Sequence, residues 1–129
     1  MKNSKGFSLL ELLVVIAILG ILVAVALPRY FDAVDDAKKN AQRTNIAIIK
    51  TSLEVYRNKN NKYPADIPTF NSFLSSQTYF SETPVCPYNN LTYSGVDTEP
   101  TTWDAENAHE LYYTVSTNGK SYTLTYTVP

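Results

Sequence analysis

The chain has 129 residues, 44% hydrophobic and 18% charged, with a formal net charge of -1. That is the size of one small domain, and the near-neutral balance gives no global case for nucleic-acid binding. One cysteine excludes an intramolecular disulfide, and one histidine excludes a multi-histidine metal site. The mean hydropathy of -0.19 conceals two unlike populations. From Phe7 to Leu27 the only residues that are not plainly apolar are Ser8, Glu11 and Gly20, and the remainder of the chain is polar.

Three readings compete for the N-terminal segment. Lys2 and Lys5 followed by an apolar stretch and Ala24-Val25-Ala26 have the layout of a secretory signal peptide. The apolar stretch is longer than the roughly 7–15 residues of a signal h-region, and it carries the carboxylate of Glu11 near its start. A plain membrane anchor accommodates the length, since about 20 apolar residues in a helix cross a bilayer core. It gives no reason for a short basic leader ending in Gly6. The third reading is an anchor that is also an assembly element. Placing a carboxylate in hydrocarbon costs on the order of a few kcal/mol, so Glu11 calls for a cation.

The run Lys5-Gly6-Phe7-Ser8-Leu9-Leu10-Glu11, its unbroken apolar continuation, and Pro28 and Tyr30 beyond it carry a specific resemblance. The segment resembles the N-terminus of a type IV pilin or of a type II secretion pseudopilin, with a class III signal sequence. The resemblance implies cleavage between Gly6 and Phe7 by a membrane-embedded prepilin peptidase, followed by N-methylation of Phe7. It also implies that Glu11 pairs with the new amine of a neighbouring subunit and helps set the filament register. Cutting there removes Lys2 and Lys5, so nine basic residues face 12 acidic ones.

Beyond Pro28 the pattern stays helical and becomes amphipathic. One apolar line runs through Val34, Ala41, Ile48 and Val55, and a second through Ile46, Ile49, Leu53 and Tyr56. The spacing predicts one helix from Phe7 to about Asn60, a rod of about 80 Å that no small head can cover. Gly20 and Pro28 are its weak points, and Gly20 to Pro28 is the predicted local melting segment in an assembled filament. Asn58-Lys59-Asn60-Asn61-Lys62-Tyr63-Pro64 is a stop signal. The expected organisation is a leader over 1–6, a transmembrane and assembly helix over 7–28, an amphipathic half over 29–62 and a globular head over 63–129.

In the head, Ile67 to Leu74 reads as a short helix capped by Asp66 or Thr69. Glu82 to Trp103 reads as irregular loop with one strand near Leu91-Thr92-Tyr93. Asn118-Gly119 between two alternating runs is a two-residue hairpin signal. Its register sets Val115 against Tyr122, Tyr113 against Leu124 and Leu111 against Tyr126, all on one face. The long helix covers that face, giving an α+β pilin fold with a small antiparallel sheet.

The candidate chemistry is sparse. His109 beside Glu106 and Glu110 reads as a solvated turn, and there is no phosphate loop or dinucleotide fingerprint, so the chain is not expected to be an enzyme. Asp97, Glu99, Asp104 and Glu106 form an acidic loop. Some pseudopilins hold calcium in a C-terminal loop, which makes these four weak calcium candidates; an exposed acidic loop is the plainer reading. Cys86 reads as a small buried residue. From Arg29 to Lys62 there are eight basic and four acidic residues, and from Tyr63 to Pro129 one basic and seven acidic. A basic helix and an acidic head could help neighbouring subunits dock; contact with DNA is the less favoured use of the basic helix.

The expected role is therefore a structural subunit of a type IV pilus serving adhesion, twitching motility or DNA uptake, with no cofactor. Its partners would be copies of itself in a helical homopolymer, the prepilin peptidase, an inner-membrane assembly platform and, before assembly, the cytoplasmic membrane. The alternatives are the major pseudopilin of a type II secretion system and, in another class, a secreted binding domain cleaved near Leu27.

Overall fold

The computed structural model describes residues 6–129, so the leader lysines Lys2 and Lys5 lie outside the described residues. In chain order the elements are α1 (Leu9–Asn60), α2 (Ile67–Leu74), β1 (Ser94–Val96), β2 (Glu110–Val115) and β3 (Tyr122–Thr125). The chain divides into two compact units, Met1–Ala37 and Lys38–Pro129.

The first unit is helical from Leu9 onward and buries nothing. Every residue from Gly6 to Ala33 is exposed, including Leu9, Leu12, Ile16, Leu19 and Leu22. Its helix is long and apolar enough to cross a membrane. Pro28 lies inside the helix, which runs unbroken through Gly20 to Pro28 in the single chain.

The second unit is the α+β head, and it uses only one of the two apolar lines of α1. Ile46, Ile49, Leu53 and Tyr56 join a core that also contains Phe70, Phe73, Leu74, Leu111 and Tyr113. The other line is left outside, with Ile48 at 47% and Val55 at 42% exposure. Helix α1 ends where Asn61 adopts φ 58°, the left-handed conformation that asparagine tolerates at a helix C-terminus. Helix α2 starts at its expected cap: Asp66 is extended, and its Oδ1 accepts the Thr69 N–H at 2.8 Å. Hydrogen bonds from Thr69 hold the Asp66 carboxyl below the ordinary carboxylate range.

The hairpin keeps its register, with Tyr113 opposite Leu124 and Val115 opposite Tyr122. Leu111 and Tyr113 are buried, and Val115, Tyr122, Leu124 and Tyr126 pack against the same core. The turn departs from the two-residue form. Gly119 N–H donates to Ser116 O, and Gly119 alone is left-handed at φ 68°, while a tight Asn-Gly turn would place both residues there. The Ser116 N–H still closes the ladder onto Ser121 O at 2.9 Å, which preserves the register.

The remaining strand corrects the sequence reading twice. It lies at Ser94–Val96; Thr92 makes only an isolated bridge with Val85. It also pairs parallel to β2, Gly95 beside Leu111, so the sheet is mixed, in the order β1-β2-β3. The physical reason is Gly95. A Cβ there would lie 2.5 Å from Phe70 Cδ1. The Phe70 ring is itself stacked on Tyr113, centroids 4.1 Å apart and planes 2° from parallel. The strand is placed by the space a missing side chain leaves, and residue propensities carry no record of that.

Gly95→Ala is therefore expected to destabilise the head by about 1–3 kcal/mol, through a ring that cannot move without leaving Tyr113. Denaturant unfolding of the full chain in detergent measures it.

Burial also pushes the phenols of Tyr63, Tyr93, Tyr113 and Tyr122 upward, most strongly at Tyr93 and Tyr113. A phenol raised in the folded state contributes stability that is complete below its unfolded pKa, about 10. That stability is lost as pH rises from there through the folded value. Thermal melts between about pH 8 and pH 11 should show Tm falling above about pH 10. Tyr113→Phe should lessen that slope. It should also cost about 1–2 kcal/mol at neutral pH, because the Tyr113 hydroxyl donates to the buried Pro64 O at 2.8 Å.

Candidate functional site

The residues with the most specific sequence signal are Gly6, Phe7 and Glu11, at the start of α1. Gly6 and Phe7 are exposed and precede the helix. Ser8 is the cap. Its Oγ accepts the Leu10 N–H at 3.2 Å, and its own N–H donates to Glu11 Oε2 at 3.0 Å. The first helical bond, Leu12 N–H to Ser8 O, is 3.3 Å. Ser8-Leu9-Leu10-Glu11 is thus a reciprocal capping box, in which serine and glutamate each satisfy a backbone N–H that the helix leaves open.

The sequence reading assigned Glu11 a charge role and missed this local one, although the Ser-x-x-Glu spacing was present. The two roles fit together. Glu11 Oε1 has no partner among the described residues, and the negative group sits at the positive end of the helix dipole. Beside it, Phe7, Leu10, Val14 and Val15 line a shallow apolar groove with Glu11 on its wall. Both members of the capping box lie beyond the Gly6–Phe7 bond, so cleavage there would remove the leader and leave the cap in place. The geometry presents a fixed, half-satisfied carboxylate on an apolar helix surface.

Gly20 and Pro28 lie far along the same helix, with open space where a Cβ on Gly20 would point. Close approach of another helix is sterically open at Gly20.

The acidic-loop residues are not gathered into a cation cage. Among the described residues no group of three or more His, Cys, Asp or Glu side chains is placed to hold a metal ion. Asp97 and Glu99 share a cleft with Glu110, while Asp104 Oδ1 is occupied by the Glu106 N–H at 3.0 Å. His109 is held structurally, its Nδ1 lying 3.0 Å from Asn89 Nδ2 and 3.1 Å from Glu106 O. Cys86 is fully buried, with its backbone N–H donating to Leu91 O at 2.8 Å.

Comparison with known proteins agrees with the N-terminal geometry. Residues 1–27 match the family described as the prokaryotic N-terminal methylation motif. Type II secretion system core protein G of Pseudomonas aeruginosa is 29% identical over 101 residues, 69% of this chain and 71% of that protein. A fimbrial protein of Moraxella nonliquefaciens is 46% identical over 57 residues, and one of Pseudomonas aeruginosa 41% identical over 54. These two matches cover 44% and 42% of this chain, and only 37% and 35% of the fimbrial proteins' own length. No solved structure matches the chain significantly. These matches are in line with the resemblance of residues 5 to 30 to type IV pilins and pseudopilins.

Glu11→Gln separates the two roles of this side chain. A glutamine can still accept the Ser8 N–H, so the cap survives and the charge is lost. If the charge sets the register, Glu11→Gln should insert in the membrane normally and lose about tenfold or more in filament yield, as Glu11→Ala should. A wild-type yield from Glu11→Gln, with no wild-type copies present, would leave only the capping role.

Proposed function

We propose that the chain is a structural subunit of a type IV pilus. It is made as a precursor in the cytoplasmic membrane, cut between Gly6 and Phe7 by a prepilin peptidase, and methylated on Phe7. It then polymerises into a surface filament that serves adhesion, twitching motility or DNA uptake. The observation that carries this reading is the helix surface from Phe7 to Leu27, wholly exposed, apolar, and opening on a capped carboxylate. Such a surface is stable only in lipid or against copies of itself.

In this reading the membrane holds the subunit until an inner-membrane platform passes it to the growing filament. The amine freed at Phe7 supplies the cation that Glu11 lacks. The segment from Gly20 to Pro28, helical in the single chain, melts as copies pack, because Pro28 has already removed one backbone donor there. The work of the subunit is mechanical, without bound cofactor or catalysis.

One observation favours a second reading, the major pseudopilin of a type II secretion system. Similarity to core protein G covers 101 residues, whereas the two fimbrial matches cover 54 and 57.

Mass spectrometry of the mature chain tests the common part of both readings. The expected product lacks residues 1–6 and begins with N-methylated Phe7. A product beginning near Leu27 would instead identify a secreted domain. Deletion of the gene separates the two filaments: loss of surface fibres marks the pilus, and loss of protein export with fibres intact marks the pseudopilus.

A further inference from the structure

The basic and acidic residues of the head are sorted in space more sharply than along the chain. Lys120 is the one basic residue after Lys62. The fold returns it to the end of α1, where Arg57, Asn58, Asn61 and Lys120 line a cleft of about 400 Å³. Beside it, Lys62 lines a second cleft with the β2–β3 turn, its stem against Gly119, where a Cβ would meet Lys62 Cβ at 3.1 Å. The Tyr63 N–H donates to Gly119 O at 3.0 Å and fixes the turn against the helix exit. The carboxylate placed to offset this cationic end is Glu54, 3.7 Å from Arg57 and already accepting the Tyr63 hydroxyl at 2.6 Å.

The opposite end of β2 carries the opposite sign. Asp97, Glu99 and Glu110 line a cleft of about 440 Å³ with Thr98, Pro100 and Asn107, and no basic residue is among its lining. Asp97, Thr98 and Glu99 are exposed. Glu110 begins β2 and Val115 ends it before the turn that bears Lys120. Five strand steps are about 17 Å, roughly twice the screening length at physiological salt. Within one copy, then, the two ends do little to neutralise one another.

A subunit that polymerises needs two different, complementary surfaces, since head-to-tail contacts cannot be self-complementary. We infer that the cationic end of the head, with one cleft lined by Arg57 and Lys120 and the other by Lys62, receives the Asp97–Glu99 loop of a second copy. This rests on the filament reading and names the surfaces by which its heads dock. Charge complementarity of this kind chooses partner and orientation, and it weakens with salt. The loop is exposed at Asp97, Thr98 and Glu99, Pro100 limits its freedom, and Arg57, Asn58, Asn61, Lys62 and Lys120 are exposed on the cationic side.

The test is a charge exchange in the full chain, expressed where no wild-type copy is made. Lys62→Glu with Lys120→Glu, and separately Asp97→Lys with Glu99→Lys, are each expected to cut filament yield about tenfold or more at unchanged membrane level and Tm. All four together are expected to restore the yield to within about threefold of wild type. Undiminished yield from either pair, or no recovery in the combination, overturns the inference. Loss confined to the lysine pair would point to an anionic partner other than a second copy. A separate measurement does not depend on filaments. Chains bearing Asn58→Cys and chains bearing Thr98→Cys, mixed in membranes with a short bismaleimide, should give a cross-linked pair that Lys62→Glu with Lys120→Glu abolishes. No cross-link overturns the docking. A cross-link from a chain that makes no filaments upholds the docking and refutes the filament reading.

Discussion

The exposed apolar surface between Phe7 and Leu27 constrains everything else. Fifteen large hydrophobic side chains in that segment are between 47% and 88% exposed. Burying each is worth about 1.5–3 kcal/mol, so even half of that burial is on the order of 10 kcal/mol, comparable to the whole stability of a small domain. No rearrangement within a chain of this length recovers it, because the head already has a closed core of its own. In the filament reading the deficit is met by lipid first and then by other copies. Assembly is then the step in which this helix exchanges hydrocarbon for leucine, isoleucine and valine of like character. Apolar transfer between such similar surroundings contributes little, so shape, backbone approach and charge must direct it.

The head answers a different demand. It has to close a core with one amphipathic helix, one short helix and thirteen strand residues on a small sheet. It does so with rings: Phe70 lies flat on Tyr113, Phe73 meets Tyr56 and Phe80 edge-on, and Tyr63 packs against Tyr122. Polar groups stitch the margins. The fully buried Gln42 donates from Nε2 to both Ala108 O and Thr127 O, fixing the start of β2 and the C-terminal tail to α1. Asn45 does the same for Val85. The second apolar line of α1, with Ile48 and Val55, contributes nothing to this core. The exposed Thr44 and Thr51 on that side turn their hydroxyls back to Asn40 O and Ala47 O at 2.9 Å. The head is closed in itself while keeping an uncovered apolar helix line and charged clefts near both ends of β2 on its surface.

What could be read from the sequence follows the range of the interaction involved. The long helix, the Asp66 cap, the helix stop at Asn61 and the register of β2 with β3 are encoded within a few residues, and each was legible. Strand β1 was not. Ser94-Gly95-Val96 has weak strand propensity, and its position is set by Phe70, 25 residues earlier in the chain, and by its parallel neighbour Leu111. The turn type was misread because Asn-Gly favours a tight turn locally. Here the Ser116 side chain, bonded to Asn118 Oδ1, stabilises a wider one. Nor did the charge arithmetic foresee that Lys120 would join the cationic end of α1, since only the folded hairpin brings it there. At the candidate site the failure was of another kind. The capping box was visible, but a stronger motif covering the same residues drew the reading to Glu11 alone.

That overlap has a physical consequence. A bare carboxylate near the start of an apolar helix is costly to place in hydrocarbon. The Ser8 N–H and the helix dipole reduce that cost. The cap also fixes the direction of the Glu11 carboxylate. In the filament reading its remaining oxygen takes a cation, and cleavage after Gly6 would create one at Phe7, four residues away along the chain. The cap sets where the carboxylate points, and in that reading processing would set when a partner for it exists. A precursor that kept its leader would have the first and lack the second, with no charge at Phe7 to register against a neighbour.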